Sequence, residues 1–213
     1  ITITTSGGLT ASATITVAQL EYIALDEIKT LSVTATDTGA QTYTFVPEED
    51  GVYAFCSNCE EIDVYCEILD SYGDTIAEDD DGGEGLNFFA EFYAEAGETY
   101  YLHTTTYSES GTGNYSVTVK KLQDATGLRL SRMSYKGEVL DHFNLQTELI
   151  PDNSVSEDII WSISDTTVVE IRDTSDGRAY FRIVGKGNAI ITAESESGFT
   201  ATCVVTAEEP EEI

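Results

Sequence analysis

The chain has 213 residues, 41% of them apolar and only 3 of them proline, and it sets 10 Lys and Arg against 39 Asp and Glu for a net charge of −29. So few cations cannot assemble the phosphate-neutralising surface that nucleic acids require or the polybasic patch that draws a protein to anionic lipid. No stretch of about 20 apolar residues is present to cross a bilayer as a helix, and the length suits two ordinary domains, whose cores settle at about 100–150 residues each.

Ile1 to Val17 reads as strand, turn at Ser6-Gly7-Gly8, strand, with alternation of period two on the return. It looks like the interior of a domain rather than a leader, so any targeting segment is expected upstream. The same pattern returns without a gap at an offset of 190: Ile1-Thr2, Gly8-Leu9-Thr10-Ala11 and Thr16-Val17 lie on Ile191-Thr192, Gly198-Phe199-Thr200-Ala201 and Thr206-Ala207. Residues 1–18 are therefore expected to be the last hairpin of a module preceding the first complete one.

Residues 19–122 are expected to form that first complete module. Alternating runs occur at Lys29 to Thr36, Gln41 to Val46, Gly51 to Phe55, Asp63 to Asp70, Phe88 to Ala94, Gly97 to Leu102 and Gly113 to Val119. An acidic loop, Glu78-Asp79-Asp80-Asp81-Gly82-Gly83-Glu84-Gly85, interrupts them. The succession from Tyr43 to Val119 resembles the bacterial pre-peptidase C-terminal domain. That resemblance implies a jelly-roll-like sandwich accompanying secreted proteases and other surface enzymes, some members of which bind calcium.

Residues 123–207 carry strand patterns at Gly127 to Ser131, Phe143 to Ile150, Ile159 to Ser164, Val168 to Ile171, Tyr180 to Val184, Ala189 to Ser195 and Thr200 to Thr206, followed by an acidic linker at 208–213. Seven short strands separated by polar turns suggest an immunoglobulin-like sandwich. Leu149-Ile150-Pro151-Asp152, Ile160-Trp161-Ser162-Ile163-Ser164-Asp165, Val184-Gly185-Lys186-Gly187-Asn188-Ala189 and Thr200 to Thr206 resemble the bacterial Ig-like domains of group 2. Members of that family serve as spacers and adhesion modules at bacterial surfaces. The fold class expected for the whole is all-β, a jelly-roll-like sandwich followed by an immunoglobulin-like one.

Chemistry has few places to reside. Two histidines, His103 and His142, fall in different modules, and no nucleophile elbow or zinc-protease motif is present, so no catalytic residue is expected. Cys56 and Cys59 bracket Ser57-Asn58, a candidate turn, and could close a small disulfide; a zinc site lacks its second half. Cys66 and Cys203 alternate with apolar neighbours and read as packing thiols, and Trp161 reads as core. The acidic loop has two readings. Asp79, Asp80, Asp81 and Glu84, with Asp70 and Asp74 on the preceding turn, could wrap oxygens around Ca²⁺, or they form a solvated turn. Tyr72 and Tyr107 stand in loops and are candidate sugar-stacking rings, whereas the other tyrosines read mostly as core or cross-strand pairs.

The functional expectation is a monomeric, non-catalytic binding segment of a secreted or cell-surface bacterial protein. Its middle module would contact a glycan or surface protein, and its Ig-like modules would act as spacers. A calcium-stiffened stalk and an accessory segment of an extracellular enzyme are the competing readings.

Overall fold

The computed structural model describes residues 2–4, 6–7, 10–12, 20–37, 39–107, 112–175 and 177–210. All regular structure among them is β, and the chain divides into two compact units, residues 1–120 and 121–213.

In the first unit, β1 (Thr2–Thr4) and β2 (Thr10–Ser12) pair antiparallel as a two-stranded sheet of their own. Nine further strands follow: β3 (Glu21–Tyr22), β4 (Lys29–Val33), β5 (Gln41–Phe45), β6 (Gly51–Asn58), β7 (Val64–Leu69), β8 (Thr75–Asp79), β9 (Phe89–Ala94), β10 (Tyr100–Thr106) and β11 (Gly113–Lys121). They form two sheets, ordered β3-β5-β10-β7-β8 and β4-β11-β6-β9. One apolar cluster draws on both, with Tyr43, Phe45, Val64, Cys66, Ile68 and Leu102 from the first sheet and Val33, Tyr53, Phe55, Phe92, Tyr115 and Val117 from the second. Phe45 meets Tyr53 edge-on at 5.3 Å between ring centres and Phe92 at 6.4 Å, which fixes the sheets face to face as a sandwich. The buried Tyr115 hydroxyl donates to the Gly39 carbonyl at 2.9 Å, so its polar end is satisfied inside the core.

The second unit contains β12 (Gly127–Leu130), β13 (Ser134–Glu138), β14 (His142–Ile150), β15 (Ile159–Ile163), β16 (Val169–Ser175), β17 (Arg178–Ile183), β18 (Gly187–Ser195) and β19 (Thr200–Glu208). Its sheets are ordered β12-β14-β17-β16 and β13-β19-β18-β15, around a core of Phe143, Leu145, Val169, Phe181, Ile183, Ile191, Cys203 and Val205. Trp161 is partly buried against that core, edge-on to Phe181 at 5.7 Å. Leu122 is buried, and Gln123 bridges Ser154, so the second unit takes hold of the chain before the alternating pattern begins at Gly127.

Three elements differ from the sequence expectation. β13 is an eighth strand where seven were expected; its Ser-Tyr-Lys-Gly-Glu run has no apolar alternation and is held as an edge by parallel pairing to β19. β8 occupies Thr75–Asp79, so Glu78 and Asp79 lie on a strand and the acidic loop is shorter than its sequence suggests. β6 continues through Asn58, which replaces the turn expected at Ser57-Asn58. Cys56 therefore lies on the strand and Cys59 just past its end, and no disulfide joins them. Both are free thiols: Cys56 Sγ contacts the Ala54 carbonyl at 3.7 Å, and Cys59 Sγ contacts the Ile62 carbonyl at 2.9 Å. Cys66 and Cys203 are fully buried.

Candidate functional site

The outward face of the five-stranded sheet in the first unit is built by the same alternation that builds its core. Along β7, Val64, Cys66 and Ile68 point inward, so Tyr65, Glu67 and Leu69 stand on the other face; along β10, Tyr100, Leu102 and Thr104 are buried, which leaves Tyr101, His103 and Thr105 outside. Pairing aligns these in rows. Tyr22, Thr44, Tyr101 and Leu69 form one row across β3, β5, β10 and β7, while Thr42, His103, Glu67 and Glu78 form the next across β5, β10, β7 and β8. Thr105 sits opposite Tyr65 in a third row.

The polar groups of this face are tied to one another. The Tyr65 hydroxyl donates to Glu78 Oε2 at 2.8 Å, Thr75 donates to Glu67 Oε1 at 2.5 Å, and His103 Nδ1 lies 2.9 Å from Thr42 Oγ1. Burial, reinforced by the bond to Glu78 and that residue's negative charge, pushes the Tyr65 phenol up to about 12. Tyr107 follows the end of β10, where its amide donates to the Asp63 carbonyl at 2.9 Å, and its ring lies 6.3 Å from that of Tyr65 at 48°. The face therefore carries Tyr22, Tyr101, Tyr65 and Tyr107 among carboxylates and hydroxyls. Half-exposed rings interleaved with acceptors and donors can stack on the C–H faces of a sugar while bonding its hydroxyls.

Of the two tyrosines singled out in the sequence, Tyr107 thus joins this face, and Tyr72 stands at the tip of the β7–β8 turn with 90% of its surface exposed. Tyr65 and Tyr101, grouped from sequence with the core or cross-strand tyrosines, take the cross-strand alternative and present their rings outward. The signal was available in phase: each is out of step with the inward-facing residues of its own strand.

The acidic pool is organised differently. Asp70 Oδ1 accepts the amides of Tyr72 at 2.8 Å and Asp74 at 3.0 Å, closing the β7–β8 turn. Asp79 Oδ2 accepts the amides of Gly82 at 3.0 Å and Phe89 at 2.6 Å, pinning the start and end of the loop together. The loop runs so tightly that a Cβ on Gly82 would stand 2.6 Å from Asp79 Oδ2, and one on Gly83 would stand 2.8 Å from the Asn87 carbonyl. Asp80, followed by desolvation and Asp79, pushes the Asp81 carboxyl above its ordinary value, as closely spaced carboxylates do. Glu84 contributes its backbone carbonyl to Asn87 Nδ2 at 2.7 Å. Among the described residues no three carboxylate, thiol or imidazole groups gather in a set that could hold a metal ion. Asp70 and Asp74 sit in the β7–β8 turn, Asp79 ends β8, and Asp80, Asp81 and Glu84 follow in the loop.

Asn87 is the polar hub of that region and was not singled out in the sequence. Its buried amide oxygen accepts from Ser57 Oγ at 3.0 Å and from the Cys59 amide at 2.8 Å, and its nitrogen donates to the Cys59 carbonyl at 3.0 Å as well as to Glu84. A cleft of about 720 Å³ lies beside it, with Cys59, Glu84, Thr118 and Lys120 in its walls. Among the described residues no aromatic ring lines that cleft.

No protein-family model matches the sequence, and no curated protein does. Solved structures give likenesses of fold. The pre-peptidase C-terminal domain of a collagenase from Bacillus anthracis is 22% identical, with a TM-score of 0.42 over 50% of this chain and all of that one. The S-layer protein rSbsC is 10% identical, with a TM-score of 0.40, and is matched over 98% of this chain but only 31% of its own length. Fibronectin(III)-like modules of Clostridium thermocellum CbhA are 10% identical, with a TM-score of 0.28 over 91% of this chain and 93% of theirs.

Proposed function

We propose that this chain is a non-catalytic accessory segment of a secreted or surface-exposed bacterial protein, in which the first unit binds a glycan and the second is a spacer. The observation that supports it is the row structure of the five-stranded sheet, which sets Tyr22, Tyr101, Tyr65 and Tyr107 on one face with Glu67, Glu78 and His103 between them. The resemblances to pre-peptidase C-terminal and group 2 Ig-like domains agree with an extracellular location, as does a surface of 39 acids and 10 bases. Among the described residues the face holds no Lys or Arg, so neutral and amino sugars suit it better than uronates or sulfated chains.

Immobilised polysaccharides and a glycan array test the reading. Tyr65→Ala, Tyr101→Ala and Tyr107→Ala are each expected to weaken binding about five- to tenfold, the cost of one lost stacking contact. Tyr93→Ala, on β9 of the other sheet with 59% of its surface exposed, is the control that should bind normally. No binding to neutral, amino or acidic glycans, or binding that survives the triple tyrosine variant, would overturn it.

A further inference from the structure

The hairpin at residues 2–12 is paired in the register of the β18–β19 hairpin. Thr2 lies opposite Ser12, Ile3 opposite Ala11 and Thr4 opposite Thr10. Adding the repeat offset of 190 gives Thr192 opposite Thr202, Ala193 opposite Ala201 and Glu194 opposite Thr200, and all three are pairs of β18 and β19. The turns coincide as well, at Ser6-Gly7 and Glu196-Ser197.

The burial of the second hairpin accounts for the residue types of the first. Ile191, Ala193, Cys203, Val205 and Ala207 are buried, and Ile1, Ile3, Ala13, Ile15 and Val17 stand at their positions in the sequence. Glu194, Thr200, Thr202 and Val204 are exposed, and their counterparts are Thr4, Thr10, Ser12 and Thr14. Ile1, Ala13, Thr14, Ile15 and Val17 lie outside the described residues, and the sidedness of the first hairpin is read from sequence throughout. An accidental β pattern would reproduce alternation; it would have no reason to reproduce loop length, pairing register and the sidedness of both strands together.

In the second unit this hairpin is central. β18 is flanked by β15 through five pairs and β19 by β13 through five more. Among the described residues, β1 and β2 have no ladder to any third strand. Two unpaired edges leave a two-stranded hairpin marginal by itself.

We infer that residues 1–17 are the closing hairpin of another module of the second unit's kind, whose counterparts of β13 and β15 come from chain preceding Ile1. The protein then alternates module types, with the first unit set between two Ig-like copies. The partner of this surface is the remainder of that module, and it docks by adding one strand to each edge.

A hairpin exchange tests the inference within this chain. Residues 191–207 are replaced by the sequence of residues 1–17, alone and with Ile3→Ala to restore the volume of Ala193. As a comparison, the same positions receive residues 64–80, an equally long hairpin taken from β7–β8. Calorimetry and amide exchange should show the second unit still folding cooperatively with the 1–17 sequence in at least the volume-restored form, and failing to fold with 64–80. Loss of the second unit's transition in both 1–17 exchanges, or its survival with 64–80, would overturn the inference.

Discussion

The two units share an architecture and differ in what their outward faces carry. In the five-stranded sheet of the first, the outer rows hold tyrosines, glutamates and a histidine, and residues 21–121 contain 22 acids against 3 bases. In the β13-β19-β18-β15 sheet of the second, the outer positions of β18 and β19 are Asn188, Ile190, Thr192 and Glu194 facing Thr206, Val204, Thr202 and Thr200, and residues 122–207 balance 13 acids with 7 bases. Threonine and single aliphatic residues suit a pleated, solvated surface and offer no stacking platform. The contrast teaches that sandwich architecture leaves function open: two sheets of like build spend the outward phase of their strands on different chemistry, rings in one and β-branched polar residues in the other.

Core truncations give the largest way to separate the units. Phe45→Ala removes the ring that joins both sheets of the first unit, and Phe181→Ala removes the ring between Phe143 and Trp161 in the second. Each should cost about 3–5 kcal/mol in its own unit. In a two-transition melt, Phe45→Ala is expected to lower one transition and abolish the proposed glycan binding, while Phe181→Ala lowers the other and leaves that binding intact.

Asn87→Ala should come next. It leaves the Ser57 hydroxyl and the Cys59 amide without their acceptor and is expected to destabilise the first unit by about 2–3 kcal/mol in denaturant titration. An unchanged midpoint would show that the loop reorganises freely. Gly83→Ala should be smaller but of the same sign, because its Cβ meets the Asn87 backbone carbonyl rather than a movable side chain.

Alkali should also tell the units apart. Burial raises Tyr43 and Tyr65 to about 12 and Cys56 to about 11, and pushes Tyr115 and Cys66 upward, all in the first unit; among the described residues of the second, burial raises Tyr135 and Cys203. An acid held protonated by folding supports the native state fully below its unfolded value and loses that support as pH rises. The unfolded chain sheds these protons from about pH 9 for thiols and 10 for phenols, and the folded one only near 11 to 12. The first unit's melting temperature should therefore fall more steeply than the second's between pH 9 and 12. Parallel declines would break the comparison.

The smallest expected effect is that of calcium. A site of about 0.1 mM affinity at 1 mM ion would stabilise the first unit by roughly 1.4 kcal/mol. With the Asp79 carboxylate committed to the Gly82 and Phe89 amides, we expect a shift well below that, and a shift of that size would show the loop rebuilding around an ion.

Alternation and turn residues suffice to read the fold class, most strands of both units, the inward placement of Cys66 and Cys203 and the offset-190 repeat from sequence. These features depend on the period of the backbone and on local chemistry, which neighbouring residues determine. β13 escaped because its polar residues gain order from pairing with β19, some 70 positions away, and β8 because its Thr-Ile-Ala-Glu-Asp run merges with the acidic loop. The continuation of β6 through Asn58, and with it the separation of Cys56 from Cys59, depends on the Asn87 side chain reaching back 28 residues to Cys59. The aromatic face was half legible: the phase of Tyr65 and Tyr101 is written in their strands, but which strands lie side by side is not. Sequence thus determined what each strand turns inward and outward, because that follows from a two-residue period. Only tertiary structure decided which outward residues meet, because sheet order is settled by how the two layers close on a common core.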